Sequence, residues 1–196
     1  MSAGHSFREL APGSFIYAID DALDNETCHK MIERFESSPD QQNQGKIGQN
    51  AATEQSIKRS TDLRISGRKD WLDIDQCLQQ SLSHGLSLLA GLHPFFKTNR
   101  LNDTGYNMQK TVTSEYYHWH IDGGPGEFSK RQLVAIWYLN AAPEDGGETE
   151  FFFQKLSVRP ERGMLLLFPP FWTHLHRGNI VGAGTKYIAT TWVCVS

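Results

Sequence analysis

Tyr116-Tyr117-His118-Trp119-His120-Ile121-Asp122 is the densest run of chemistry-bearing side chains in the sequence. Side chains of an extended strand repeat every two residues, so the run predicts His118, His120 and Asp122 on one face. A carboxylate beside an imidazole is a natural metal half-site. A hydrogen-bonded His–Asp pair that only closes a strand end is the plainer reading. Around the run lie short apolar or alternating stretches: Tyr106–Val112, Gln132–Asn140, Thr149–Phe153, Gly163–Phe168 and Lys186–Val195. Turn signals separate them, at Gly123-Gly124-Pro125-Gly126, Pro143-Glu144-Asp145-Gly146-Gly147, Pro160 and Pro169-Pro170. Short strands at this spacing predict a sandwich or jelly roll, which can bring remote strands face to face around one cavity. A second histidine pair stands in Phe171-Trp172-Thr173-His174-Leu175-His176-Arg177-Gly178, also a candidate strand. Two histidines and one carboxylate on one side of an octahedron leave three positions open, a pattern suited to non-haem Fe(II).

The sequence before Tyr106 reads differently. Ser14–Asp20 predicts a short strand. Asp24 is a candidate N-cap for a helix through Glu36, with Cys28, Met31, Ile32 and Phe35 at helical spacing. Trp71, Ile74, Leu78, Leu82, Leu86 and Leu89 share one face of a helix that Gly91, His93 and Pro94 end. Asp40–Ser56 has no hydrophobic period and reads as a mobile loop, either a surface insertion or a lid over a pocket. The expected fold is therefore mainly β (α+β), a jelly-roll core preceded by supporting helices. At 196 residues it is expected to be one domain, with helices and loop in 1–104 and the core in 105–196.

Composition excludes several classes. A net charge of −3 argues against a broad nucleic-acid surface. The three cysteines, Cys28, Cys77 and Cys194, are far apart and form no zinc-finger pair. An odd count without a framework suits a reducing compartment. Met1–Leu10 has no apolar core of a signal peptide, and no apolar run is long enough to span a membrane. The expectation is a cytoplasmic protein without nucleic-acid or membrane partners.

Four passages in order resemble the Fe(II)/2-oxoglutarate-dependent dioxygenases, most of all the prolyl-4-hydroxylase-like branch. They are Tyr117-His118-Trp119-His120-Ile121-Asp122, Arg131 to Asn140 ending Tyr138-Leu139-Asn140, Gly146-Gly147-Glu148-Thr149-Glu150-Phe151, and His176-Arg177-Gly178 followed by Gly184-Thr185-Lys186 and Trp192. The likeness runs from about Tyr106 to the C-terminus and implies a double-stranded β-helix. It implies that His120, Asp122 and His176 bind iron and that Lys186 pairs with the distal carboxylate of 2-oxoglutarate. Tyr138 would offer its hydroxyl to the same carboxylate, Thr149 and Trp192 would line the pocket, and Arg131 either faces substrate or is a surface arginine. His176 is preferred to His174 because it stands ten positions before Lys186, the spacing of this branch. The branch's upstream tyrosine has no counterpart: Lys110 and Thr111 occupy its place, with Tyr106 or Gln109 as candidate substitutes.

The resemblance further implies Fe(II), 2-oxoglutarate and O₂ as cofactor and cosubstrates, with ascorbate as a possible addition. The reaction would hydroxylate an unactivated C–H bond, first choice a peptidyl proline, and release succinate and CO₂. A free amino acid or small metabolite is the alternative substrate, since fold does not set substrate. A cupin-like metal protein without 2-oxoglutarate chemistry, and a non-catalytic metal-dependent binding module, are the other readings.

Overall fold

The computed structural model describes residues 6–48 and 52–196. The extreme N-terminus and the centre of the 40–56 loop, both read above, lie outside the described residues. In chain order the elements are β1 (Phe7–Glu9), β2 (Tyr17–Ile19), α1 (Asn25–Glu36), β3 (Asn43–Gln44), β4 (Lys58–Arg59), β5 (Thr61–Arg64), α2 (Leu72–Leu92) and α3 (Pro94–Thr98). There follow β6 (Leu101–Asp103), β7 (Asn107–Val112), β8 (Tyr116–His120), β9 (Arg131–Tyr138), β10 (Asp145–Gly146), β11 (Thr149–Phe151) and β12 (Leu156–Val158). The last are β13 (Leu165–Phe168), β14 (His176–Gly178), β15 (Val181–Ala183) and β16 (Thr185–Val195).

Alternation within the strands decides the layering. On β9 Leu133, Ala135 and Trp137 face the helices, while Val134, Ile136 and Tyr138 face a second sheet. The large sheet runs β1-β2-β13-β9-β16-β7-β5-β3, with β6 beside β16; the smaller runs β12-β11-β14-β8-β4. All their pairs are antiparallel. The result is the jelly roll expected from the sequence, with one core between the two sheets and a larger one beneath the helices. No helix of the described residues is long and apolar enough to cross a membrane.

The two long helices form as their periodicity predicts. Asp24 caps α1 by accepting from the Thr27 N–H at 2.6 Å. A cap of this kind contributes about 1 kcal/mol. Helix α2 buries Ile74, Leu78, Leu82 and Leu89. It comes closest to the sheet at Gly85, where an added Cβ would lie 3.2–3.3 Å from Ile19, Leu165 and Leu167. Gly85→Leu should therefore cost about 1–3 kcal/mol or more by overpacking. Urea unfolding checks this; an unchanged midpoint would mean the helix is free to lift away.

The described parts of the 40–56 segment, residues 40–48 and 52–56, are more ordered than their composition suggests. The short strand β3 pairs with β5 at the sheet edge, Ile47 bridges Ala52, and Asn43, Gln44 and Ile47 face a cavity. Strands this short carry no period long enough to read. Their order comes from edge pairing rather than from local propensity.

Candidate metal centre

His120 ends β8 and His176 begins β14, and the two are directly paired across the strands. Their imidazole centroids are 4.2 Å apart. Asp122 follows two residues beyond β8. Its N–H and that of Gly123 both donate to the Pro170 carbonyl, at 3.1 and 2.7 Å. Arg131 Nη1 donates to the Asp122 carbonyl oxygen at 2.8 Å. These main-chain ties swing the carboxylate back over the imidazoles. Its Oδ2 lies 3.2 Å from His176 Nε2 and 4.0 Å from His120 Nε2. The three donor atoms lie within 4.8 Å of one another.

The second ring nitrogens explain why the donors converge. His120 Nδ1 bonds the His118 carbonyl at 2.7 Å, and His176 Nδ1 bonds the His174 carbonyl at 2.9 Å. A carbonyl only accepts, so each Nδ1 carries a proton, and each Nε2, the atom left to bind a metal, faces the shared point. Burial, reinforced by neighbouring His176, pushes the His120 pKa down to about 3, so its ring is neutral. Burial alone would raise the Asp122 pKa. In the metal-free site a hydrogen bond from a protonated His176 Nε2 and the charge of the imidazoles outweigh it and hold the carboxyl well below its usual range; a metal would take the place of that proton. Two imidazoles and one carboxylate, buried and preoriented, fit a divalent transition metal.

Regular alternation fails in β8, and this alters the sequence expectation. Between the His120–His176 and Tyr117–Gly178 pairs, β8 has one residue more than β14, a bulge. His118 is turned out to solvent and does not share the face of His120 and Asp122. Tyr117 is turned in, and its ring stacks on His120 at 3.5 Å and 14°. His174 also leaves the cluster, because Trp172–His174 is a 3-10 turn rather than strand. Its side chain is buried against the Ser14 carbonyl and the Thr173 hydroxyl, both at 2.9 Å.

A cavity of about 680 Å³ opens from the three donors between the sheets. Lys186 lines it from β16 and is only 5% exposed. No hydrogen bond or ion pair reaches its ammonium among the described residues. The Tyr138 ring centroid lies 5.4 Å from Nζ. Burial pushes its pKa down to about 8 against the opposing pull of Glu148. A buried ammonium with no carboxylate in ion-pair contact, in the same cavity as a metal-type donor set, fits a ligand carboxylate.

The remaining expected residues divide. Tyr138 is fully buried and its hydroxyl bonds Thr149 Oγ1 at 2.7 Å, so Thr149, not Tyr138, forms the cavity wall. Trp192 lines the cavity, and its buried indole N–H lies beside Asp122 without closing a hydrogen bond. Arg131 is no surface arginine: Phe128 and Trp192 sandwich it at 3.8 and 4.0 Å. Lys110 points away from the cavity to Glu36, at 2.8 Å, and Tyr106 is buried in the helix-side core with its hydroxyl on Asp103. Gln109 and Thr111 face the cavity instead. Of the aromatics nearby, Trp119 lines the cavity, Phe151 and Phe168 pack behind His176, and Phe153 and Phe171 are exposed. Sequence reasoning missed the stacking of Tyr117 and the buried Lys58–Asp62 ion pair of the cavity wall, 2.7 Å long. Only the β8 bulge and the β4–β8 pairing bring these groups to the site.

Comparison with known proteins agrees with this geometry. Residues 106–194 match the family model of the 2OG-Fe(II) oxygenase superfamily. No curated protein sequence matches significantly. Among solved structures, the chain is similar to the viral collagen prolyl hydroxylase of Paramecium Bursaria Chlorella virus-1, in its 2OG complex, with a TM-score of 0.69 and 21% identity. That alignment covers 94% of this chain and 98% of the viral one. A Trichoplax adhaerens prolyl hydroxylase, bound to a hypoxia inducible factor peptide, aligns with a TM-score of 0.76 and 16% identity over 93% of this chain and 84% of that one. A Pseudomonas putida prolyl-4-hydroxylase aligns with a TM-score of 0.68 and 15% identity over 93% and 94% of the two chains. Residues 106–194 thus match the 2OG-Fe(II) oxygenase superfamily and the chain shares the prolyl hydroxylase-like fold, findings that support a 2-oxoglutarate-dependent dioxygenase.

Proposed function

We propose that this enzyme hydroxylates an unactivated C–H bond of a peptidyl proline. One O₂ is consumed: one oxygen atom enters the substrate as hydroxyl, and the other enters 2-oxoglutarate as it becomes succinate and CO₂. His120, Asp122 and His176 hold Fe(II), which when bound supplies the redox chemistry coupling decarboxylation to hydroxylation. Lys186 pairs with the distal carboxylate of 2-oxoglutarate, and Thr149, held by Tyr138, lines the same recess. Tyr117 keeps the His120 ring from rotating, and Arg131 holds the loop that carries Asp122. Ascorbate would serve as the reductant that keeps the iron ferrous. The reading takes residues 1–196 as one catalytic domain acting in the cytoplasm.

The observation that carries this reading is the unpartnered Lys186 ammonium in the cavity of the His–Asp–His cluster. The Trichoplax enzyme's bound peptide supports a peptide substrate. The test is succinate release from 2-oxoglutarate with Fe(II) and O₂, across proline-containing peptides and free amino acids. Stimulation and a mass gain of one oxygen on a proline peptide are expected. No succinate from any substrate, with iron bound and the protein folded, would end the reading. A free amino acid or small metabolite is the second reading, favoured by the Lys58–Asp62 pair, whose opposite charges match those of a small zwitterion.

Lys186 also sets a pH dependence. Its ammonium must be charged to hold a carboxylate, and burial has brought its pKa down to about 8. Below that pH the cation is present, and above it the binding form is lost. Affinity for 2-oxoglutarate should therefore fall between pH 7 and 9, approaching tenfold per unit at the alkaline end. Calorimetric titration on Mn(II)-loaded protein measures it; a flat profile would separate Lys186 from the cosubstrate.

A further inference from the structure

We propose that the surface beside the cavity mouth, formed by Phe152, Phe153, Phe171 and Trp172, is an exosite for the substrate polypeptide. It seats a large, uncharged apolar side chain that flanks the reacting residue. The proposal rests on the reading of the substrate as a peptide and deepens it. Ten large apolar side chains are exposed among the described residues. Five of them, Ile121, Phe152, Phe153, Phe171 and Trp172, stand on three short segments, and Trp172, at 73%, is the most exposed of all. Main-chain acceptors tie the segments together. The Phe152 N–H donates to the Leu175 carbonyl at 2.9 Å, and the Gly123 N–H to the Pro170 carbonyl at 2.7 Å. The Gln154 side-chain amide donates to the Thr173 carbonyl at 3.0 Å. Apolar side chains exposed singly are ordinary, whereas a gathered set marks a surface that binds.

The patch is held in shape by its own packing. Phe152 meets Phe153 and Trp119 edge-on, with centroids 5.3 and 5.5 Å apart. The Arg177 guanidinium lies 4.7 Å from the Trp119 ring centroid, and Glu150 accepts from it at 2.7 Å. That charge is matched within the protein, so the rings suit an apolar partner, as at the centre of a protein interface. Continuity identifies the occupant. Ile121 sits between two metal donors, His120 and Asp122, and both Ile121 and Trp119 also line the cavity. A small substrate held in the cavity reaches none of Phe152, Phe153, Phe171 and Trp172, which do not line it. A second copy seated on the patch would cover the mouth at Trp119 and Ile121. A polypeptide with its reacting residue in the cavity passes over this rim and touches both.

The test uses blocked peptides of about 15 residues, long enough to cross the mouth at about 3.3 Å per residue. Each is built of alanine, serine and glycine around one central proline and carries a fluorescein label. A Leu-Phe pair is moved stepwise away from the proline on either side, and the reference peptide lacks it. Succinate release gives KM and kcat. Anisotropy on protein loaded with Mn(II) and 2-oxoglutarate gives affinity without turnover. At the best position the pair should lower KM about tenfold, the scale of one buried aromatic anchor, with kcat unchanged. Trp172→Ser and Phe153→Ser should each remove most of that gain. Neither should alter kcat or the KM of the reference peptide, and both side chains are exposed, so the fold is spared. Leu72→Ser, which removes an exposed apolar side chain on α2, should change nothing. No gain at any position would overturn the proposal. So would an equal rise in KM for both peptides in Trp172→Ser, or loss of the gain in Leu72→Ser. A dimer in sedimentation that Trp172→Ser dissociates would give the face to a second copy and overturn it too. Failure of the peptidyl-proline reading looks different, because then no peptide yields succinate. Anisotropy still decides the exosite in that case. Binding of the anchored peptide about tenfold tighter than the reference, lost in Trp172→Ser, would sustain it for another reacting residue; equal binding of the two would overturn it.

Discussion

Lys186→Met binds 2-oxoglutarate about 100-fold or more weakly than the wild type, while its iron affinity is nearly unchanged. That is the expected result of removing one partner from a buried ion pair, which costs about 3–5 kcal/mol. The ammonium is buried and no protein carboxylate within ion-pair distance stands in for the ligand among the described residues. Without ligand the sign reverses. The empty protein already bears an uncompensated buried charge, and methionine, similar in length and apolar, relieves it. Thermal unfolding of ligand-free Lys186→Met should therefore occur a few degrees above the wild type, and adding 2-oxoglutarate should narrow that gap by stabilising only the wild type. Calorimetric titration with Mn(II) in place of Fe(II) gives the affinity without turnover. Equal affinity in the two proteins would detach Lys186 from the cosubstrate.

His176→Ala should lose metal far more severely than His174→Ala. His176 supplies an Nε2 donor 3.2 Å from Asp122, so its removal leaves two of three protein donors. Even residues that merely orient metal ligands cost about 10–100-fold in affinity when removed, so the loss here should exceed about 100-fold. His174 serves the site through its main-chain carbonyl, which accepts from His176 Nδ1 and survives substitution. What His174→Ala does remove is the partner of the Ser14 carbonyl. Leaving that buried group unpaired costs about 1–3 kcal/mol of stability, with a metal loss of about tenfold or less. Competition between the protein and a coloured chelator for Fe(II) or Mn(II) ranks the two variants. The opposite order would mean that the wrong histidine has been assigned to the metal.

The match to the 2OG-Fe(II) oxygenase model also bears on the readings open at the sequence level. It supports 2-oxoglutarate chemistry over a cupin-like protein without it.

Several features follow from sequence alone, because they depend on local periodicity. The buried stripes of α1 and α2 repeat at helical spacing. The long strands β7, β9 and β16 alternate between two cores, so Lys186 and Ile188 face one side while Tyr187 and Ala189 face the other. His120, Asp122, His176 and Lys186 were legible as chemistry by residue type and spacing. Tertiary structure decided the rest. A bulge exchanged His118 for Tyr117 on the inner face, and a 3-10 turn sent His174 to Ser14. Strand pairing put Thr111 beside Lys186, and packing between the sheets put Thr149 between Tyr138 and the cavity. The physical reason is the same in each case. Which face a side chain takes along a regular strand is a property of that strand's own residues. Which residue stands opposite it, and where the alternation breaks, depend on pairing with strands far away in the sequence.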